Sequence, residues 1–173
     1  MVIAVGDGER IATLLPELGG LFRHPLMTIA KVRLCKRDGQ VIGGPEGLPA
    51  DQGATGHAGM QPQVKLTVYT SEAARIGGQP AHREFVRLLR SAGVSGAISQ
   101  RGCWGYHGEH APHGDRIVQL GRHVPVVTTV IDRPERIGVA FDVIDTLTPH
   151  RGLVTAENVL TPQLVRPAAV TGP

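Results

Sequence analysis

One stretch of the chain, QRGCWGYHGEHAPHGDRI at residues 100–117, concentrates the side chains that could do chemistry. It contains the single tryptophan, one of the two cysteines, and His107, His110 and His113. Neutral imidazole is the commonest protein ligand for zinc and copper, so these three histidines could bind a metal ion. Glycine and proline recur throughout the stretch, which argues against a helix and predicts a long loop. Solvated loop histidines without a metal are the alternative.

The same loop has the composition of an anion-binding site. Glycines let backbone N–H groups approach a phosphate closely, arginines pair with it in a bidentate manner, and aromatic rings can stack on a base. The candidate effector-binding residues in and around the loop are Arg101, Gly102, Trp104, Gly105, Tyr106 and Arg116. In the competing interpretation Arg101 forms an ion pair between subunits and Trp104 packs at the same interface.

A second candidate anion site is the turn DRPERI, residues 132–137. It follows a predicted strand and opens a predicted helix, whose N-terminal N–H groups and dipole attract anions. Arg133 and Arg136 are therefore candidate effector ligands. The competing interpretation is that Asp132 caps the helix and the two arginines are ordinary surface residues.

Composition disfavours several classes of protein. Hydrophobic residues make up 41% and charged residues 19%, as in a chain that folds, and no apolar run approaches the ~20 residues of a membrane helix. The net charge of +3 suits small anionic ligands as well as nucleic acid. No Lys/Arg run occurs and the aromatic content is only 3%, so we expect no nucleic-acid partner. The first residues do not form a basic and apolar leader, so we expect a cytoplasmic protein with free thiols. No cysteine pair has the spacing of zinc ligands, which excludes a zinc finger. No Walker, G-x-S-x-G or H-E-x-x-H pattern occurs, so we expect no enzyme.

The elements that must position these residues follow from hydrophobic periodicity. Apolar residues at helical spacing predict one helix that ends at Gly93 and a second that Asp132 caps, with Pro134 in its first turn. Alternating or β-branched runs predict strands at 64–70, 96–100, 124–131 and 153–160. The order βαββαβ predicts an α+β fold, the ferredoxin-like plait, in which both helices cover one face of an antiparallel sheet.

The N-terminal segment resembles the second half of this unit. GERI at 8–11 aligns with PERI at 134–137, and LMT at 26–28 aligns with LVT at 153–155. We therefore predict an N-terminal βαβ half-repeat that packs on the main domain or pairs with the same segment of another protomer.

The chain is accordingly predicted to have four parts. Gly, Pro, Ala and Gln dominate the segment after the half-repeat, which predicts a flexible linker, and the C-terminus predicts a flexible tail. The boundaries are 1–38 for the half-repeat, 39–63 for the linker, 64–161 for the ferredoxin-like domain and 162–173 for the tail.

Four motifs in the predicted domain resemble a known family. They are LTVYTSEAARIGGQPAHREFV (66–86), SGAISQRGCWGYHG (95–108), VPVVTTVIDRPERI (124–137) and GLVTAENV (152–159). Their order and spacing are similar to those of the domain-of-unknown-function 190 family, whose members are PII-like. The resemblance covers residues 64–161, and the N-terminal half-repeat is additional to it.

The resemblance implies a homotrimer whose sheets face one another around a threefold axis. It also implies a small effector, most often an adenine nucleotide, in clefts between protomers. Residues 101–116 would be the loop that responds to the effector and docks on a protein target, a transporter or an enzyme. A metal-binding trimer of the CutA type that uses the loop histidines, and a constitutive protein-interaction module without a small ligand, are the alternatives.

Overall fold

The computed structural model describes residues 3–21, 26–48, 59–105, 113–114 and 124–162. The chain divides into two compact units, Met1–Lys31 and Val32–Pro173. No helix among the described residues is long and apolar enough to span a bilayer.

The first unit contains one helix, α1 (Gly8–Leu21). The carboxylate of Asp7 accepts a hydrogen bond of 2.9 Å from the backbone N–H of Arg10, which stabilises the first turn as an N-cap does. Residues 3–7 and 26–31 form no strand. The predicted βαβ half-repeat is therefore corrected to a helix with irregular flanks, because a strand needs a hydrogen-bonding neighbour and this unit supplies none among its described residues.

The second unit contains the sheet and two helices. Its helices are α2 (Ala81–Ser91) and α3 (Pro134–Leu147). Its strands are β1 (Arg33–Arg37), β2 (Gln40–Val41), β3 (Met60–Ser71), β4 (Arg75–Ile76), β5 (Gln79–Pro80), β6 (Ala97–Arg101), β7 (Trp104–Gly105), β8 (His113–Gly114), β9 (Pro125–Asp132) and β10 (Leu153–Pro162).

The main sheet has the order β2-β1-β10-β3-β9-β6, and every neighbouring pair is antiparallel. Its last four strands, together with α2 and α3, form the βαββαβ unit with the order fourth, first, third, second. This topology is the ferredoxin-like plait, and it confirms the predicted α+β fold.

Both helices bury their apolar sides against one face of this sheet. Phe85 and Leu89 of α2 and Ile144 of α3 are fully buried in the core. Alternate residues of the central strand, including Leu66 and Val68, meet them there. Each such side chain contributes ~1.5–3 kcal/mol relative to an exposed one, so the plait rests mainly on this layer.

The predicted end of α2 is confirmed, whereas the predicted N-cap of α3 is wrong. Gly93 adopts a φ of +79° immediately after Ala92, the C-cap of α2, and ends that helix, as expected. Asp132, predicted as the N-cap of α3, lies one position too early, because the N-cap is Arg133. The Asp132 carboxylate instead accepts hydrogen bonds from the N–H groups of Ser95 at 2.8 Å and Arg133 at 2.9 Å. It therefore connects the end of β9 to the start of β6.

The boundary predicted after residue 38 is also corrected. β1 pairs with β10 and β2 pairs with β1, so a hairpin over residues 33–41 extends the main sheet. The guanidinium of Arg33 donates to the carbonyls of Glu46 at 2.6 Å and Gly47 at 2.9 Å, which orders part of the predicted linker. The central strand begins at Met60, within that linker. Residues 49–58 and 163–173 of the linker and tail lie outside the described residues.

Candidate functional site

A cavity of about 450 Å³ opens at the end of the sheet where β3 ends and β10 begins. One wall is the segment after β3, which contains the short β4–β5 hairpin. The other wall is the segment from Thr148 to Gly152, which we call the α3–β10 loop. The lining residues are Thr70, Ser71, Ala73, Ala74, Arg75, Ile76, Ala81, Phe85, Leu147, Thr148, Pro149, His150, Arg151 and Gly152. We refer to it as the Arg75–Arg151 cavity.

Local sequence explains the shape of both walls. Gly77 and Gly78, with φ of +54° and +80°, form the two-residue turn between β4 and β5. The N–H of Ala81 donates to the carbonyl of Ala74 at 3.0 Å, which closes this hairpin onto the start of α2. In the opposite wall Gly152 has a φ of +112°, and a Cβ there would lie 3.4 Å from the carbonyl oxygen of Tyr69. Glycine therefore lets the α3–β10 loop turn sharply into β10.

The lining of the cavity combines positive charge with an apolar floor. Arg75, His150 and Arg151 line it, whereas none of its lining residues is acidic. The side chains of His150 and Arg151 make no hydrogen bond or ion pair with any other described residue, while Arg75 donates to the carbonyl of Glu72 at 2.7 Å. The partly buried side chains of Ile76 and Leu147 supply apolar surface. Such a site suits a ligand with an anionic group and an apolar or aromatic body.

An ion pair joins one wall of this cavity to the base of the long loop. Arg101, at the end of β6, contacts the Glu72 carboxylate at 2.6 Å. The second carboxylate oxygen of Glu72 is buried and has no hydrogen-bond partner among the described residues. Glu72 follows β3 directly, and its N–H donates to the carbonyl of Val124 at 2.9 Å. Arg101, predicted to bind the effector, is therefore held by a carboxylate beside the cavity, within the same chain.

The predicted loop glycines contact a proline. A Cβ at Gly102 or Gly105 would lie 2.9 Å or 3.0 Å from Cγ of Pro125, so only glycine fits there without a shift. The N–H of Gly102 donates to the Pro125 carbonyl at 2.8 Å. Packing therefore accounts for both glycines without an anion, although it leaves anion binding by other backbone groups of the loop a prediction. The Trp104 residue is 69% exposed, so its ring is accessible to a ligand or partner.

The remaining loop residues are largely outside the described part of the chain. Tyr106, His107, His110 and Arg116 lie there, and His113 is described only as the strand partner of Gly105. Among the described residues, no group of three or more His, Cys, Asp or Glu side chains could hold a metal ion. The histidine site stays a prediction.

The other predicted arginines lie at the opposite end of the sheet. Arg101 is beside Val126, near the start of β9, whereas Arg133 follows the end of that strand. A strand rises ~3.4 Å per residue, which separates Val126 from Arg133 by ~24 Å along β9. Arg136 donates to the carbonyl of Gly93 at that far end. Within one chain, these two arginines do not form a common site with Arg101.

Asp132 lies next to these arginines. Burial alone would raise the pKa of its carboxyl group. Hydrogen bonds from the backbone N–H groups of Ser95 and Arg133, and the positive charge of Arg136, outweigh burial and lower the pKa below its ordinary value. Asp132 is therefore a structural carboxylate at the far end of the sheet.

Sequence reasoning missed the cationic residues of the cavity. Arg75 lies before a Gly-Gly turn, and His150 and Arg151 lie before Gly152 in the segment TPHRG. A cation beside a predicted tight turn is a weak signal on its own. The signal becomes specific only when the antiparallel register brings the two turns to the same end of the sheet.

Several known proteins are similar to this chain. A UPF0166 protein of Aquifex aeolicus (strain VF5) is 30% identical over 94 residues, which are 54% of this chain and 88% of the relative. Two solved structures of CPII, a nitrogen regulatory PII-like protein from Thiomonas intermedia K12, are 17% and 19% identical, each with a TM-score of 0.45 over 60% of this chain and 91% of theirs. One contains ADP and bicarbonate, the other ADP, AMP and bicarbonate.

The family match covers most of the plait. The DUF190 family, described as "Uncharacterized ACR", matches residues 63–161, which include every element from β4 to α3 and most of β3 and β10. The four sequence motifs that predicted this family lie within the matched range, and the prediction is confirmed. This chain is a member of the DUF190 family.

Proposed function

We propose that this protein is a non-enzymatic, PII-like regulatory protein that binds a small anionic effector in the Arg75–Arg151 cavity. An adenine nucleotide is the first candidate. The observation that carries the proposal is a cavity lined by Arg75, His150 and Arg151, without an acidic lining residue, beside the ion pair that holds the base of the long loop.

The dimensions and chemistry of the cavity support a mononucleotide. Its volume of about 450 Å³ lies within the usual range for small-molecule sites. Guanidinium groups pair with phosphate oxygens in a bidentate manner, so Arg151, which has no ion-pair partner among the described residues, suits the phosphate. The partly buried Ile76 and Leu147 would contact the less polar base and ribose.

The Glu72–Arg101 ion pair supplies a route from the cavity to the loop. An anion bound near Arg75 would lie close to Glu72, whose main chain Arg75 contacts. Repulsion between the effector and the Glu72 carboxylate would favour separation of Glu72 from Arg101. Arg101 and the loop at 101–116 would then be free to contact the effector or a protein target. Ordering that loop costs on the order of 1 kcal/mol per residue, so the bound state must provide several new contacts.

The proposed assembly is a homotrimer. Ile98 and Ile131 lie on the face of the sheet opposite the helices and are 56% and 40% exposed. Facing sheets in a trimer would remove both side chains from water, which is favourable by ~25 cal/mol per Å² of apolar surface buried. Analytical ultracentrifugation should report a trimer, and a charged residue at Ile98 should shift it toward the monomer.

Calorimetry on metal-stripped protein tests the binding site. ATP, ADP, AMP, cyclic AMP and bicarbonate are titrated into the wild type and into Arg151→Ala, with Arg90→Ala as the matched control at an exposed arginine outside the cavity. Loss of one charge-assisted contact should weaken nucleotide binding by about 10-fold or more in Arg151→Ala and leave Arg90→Ala unchanged. Equal affinity in Arg151→Ala and the wild type would refute the site.

Two further variants separate this proposal from its alternatives. Arg133→Ala should bind normally, and a loss there would move the effector to the opposite end of the sheet. A thermal shift with zinc or copper alone, abolished when His107, His110 and His113 are replaced by alanine, would favour the metal-binding function. Capture of a partner that does not change with nucleotide would favour a constitutive interaction module.

A further inference from the structure

The β1–β2 hairpin lies outside the region that matches the family, yet its turn contacts the cavity wall. The turn consists of Asp38 and Gly39, both with positive φ. The N–H of Asp38 donates to the carbonyl of Gly152 at 2.9 Å. A Cβ at Gly39 would lie 2.4 Å from the carbonyl oxygen of Pro149 and 3.0 Å from the Cα of His150. The hairpin turn therefore touches the main chain of three of the five residues in the α3–β10 loop.

We propose that the Asp38–Gly39 turn is a positioning element for the Arg75–Arg151 cavity. The turn contacts the main chain of the α3–β10 loop, while the loop's His150 and Arg151 line the cavity. Neither Asp38 nor Gly39 lines the cavity, so the turn acts on the effector through the loop. This inference rests on the proposed function, because it assigns the hairpin a role in effector affinity.

Other contacts hold the hairpin firmly enough for this role. Lys36 is buried, and its ammonium group contacts the Asp145 carboxylate and donates to the Asp145 carbonyl at 3.0 Å, which attaches β1 to the last turn of α3. Arg37 pairs with Leu153 at the first position of β10. Both ends of the α3–β10 loop are therefore connected to β1, and the turn contacts the residues between them.

The chain offers a matched pair of glycines to test this role. Gly39 and Gly47 have φ of +85° and +63°, so alanine introduces left-handed backbone strain at either position. At Gly47 a Cβ would meet no atom within 4 Å, whereas at Gly39 it would collide with the backbone of Pro149. Only Gly39→Ala should therefore displace the α3–β10 loop.

The experiment measures ADP affinity by calorimetry and amide hydrogen exchange of the peptide spanning residues 147–153. Gly39→Ala should bind ADP about 10-fold more weakly, as expected for the loss of one charge-assisted contact, and its loop should exchange faster. Gly47→Ala should match the wild type in both measurements. A Gly39→Ala protein with wild-type affinity and exchange would overturn the inference, and so would equal losses in the two variants.

A wild-type measurement keeps the inference testable if Gly39→Ala does not fold. Because coupling is reciprocal, saturating ADP should slow exchange at the Asp38 amide as well as in the loop. Protection of the loop alone would overturn the positioning role. The two proposals fail separately: a wild type that binds no nucleotide or bicarbonate refutes the effector site, whereas unchanged loop exchange in Gly39→Ala refutes the contact between hairpin and loop.

Discussion

Replacing Asp145 by asparagine should destabilise the protein, although the Asp145 side chain is 40% exposed. The reason is its partner, because the Lys36 side chain is only 2% exposed. Its ammonium group is surrounded by protein and reaches the Asp145 carboxylate and the Asp145 main-chain carbonyl. In Asp145→Asn, the buried ammonium group would be stabilised only by the main-chain carbonyl and by the dipole of the asparagine amide, which is weaker than a carboxylate charge.

The expected magnitude follows from this asymmetry in exposure. Removing one partner of a fully buried ion pair costs ~3–5 kcal/mol. Exposed pairs contribute ~0–1 kcal/mol, and Asp145 lies between these limits. We therefore expect Asp145→Asn to lower the free energy of unfolding by ~2 kcal/mol, which corresponds to a decrease in melting temperature of about 4–8 °C for a domain of this size.

A second variant distinguishes charge from packing. Lys36→Met removes the charge and keeps most of the apolar volume, so its free energy of unfolding should lie within ~1 kcal/mol of the wild type. In the Lys36→Met background, Asp145→Asn should have little further effect. Urea unfolding followed by far-ultraviolet circular dichroism gives the four free energies. Glu84→Gln, whose partner Arg87 is 61% exposed, serves as the control and should lower the free energy of unfolding by no more than ~1 kcal/mol.

Two results would refute this reasoning. Wild-type stability in Asp145→Asn would mean that the Lys36 ammonium group reaches water by a small rearrangement. Equal losses in Lys36→Met and Asp145→Asn that add in the double variant would mean that side-chain packing, rather than the ion pair, attaches β1 to α3.

Three further predictions concern titration, thiol reactivity and packing. Because the folded pKa of Asp132 is lowered, its contribution to stability is present above the unfolded pKa of ~3.9 and is lost as the pH falls through the folded value. Asp132→Asn should therefore reduce the loss of unfolding free energy at acid pH, and an unchanged pH dependence would contradict this. Burial raises the pKa of the Cys35 thiol to about 11, so at pH 8 iodoacetamide should label exposed Cys103 in the native protein and Cys35 only after unfolding, as peptide mass spectrometry would detect. Gly102→Ala should lower the free energy of unfolding by ~1–3 kcal/mol through contact with Pro125, and Pro125→Ala should reduce that cost; urea titrations that show no such rescue would exclude this contact as the cause.

Most elements of the fold were predicted from local sequence patterns. The four predicted strands of the plait occur within a few residues of their expected ends, and α2 ends before Gly93 as predicted. These elements were predictable because side-chain alternation and helical spacing are properties of short segments. The family could also be recognised, since its motifs are contiguous in sequence and lie inside the matched range.

The N-terminal segment shows where local patterns stop being sufficient. The apolar spacing of α1 matches that of α3, and the helix forms, but the predicted strands around it do not. Whether an extended segment becomes a strand depends on a hydrogen-bonding neighbour. The strand that does pair with β10 is β1, which begins at Arg33, several residues after the LMT segment that was aligned with the start of β10. β1 pairs with β10 because β10 offers a free edge of the plait and because this pairing buries Cys35 and Lys36.

The sequence by itself determined the plait, the family and the presence of a cationic, glycine-rich loop. Tertiary structure decided which cations share a site. Antiparallel pairing brings Arg75 and Arg151 to one cavity across gaps of many residues, and it places Arg133 at the other end of β9. It also positions Glu72 against Arg101 and Gly39 against Pro149. Such proximities depend on strand register and on the direction in which each chain leaves the sheet, which no short segment encodes alone.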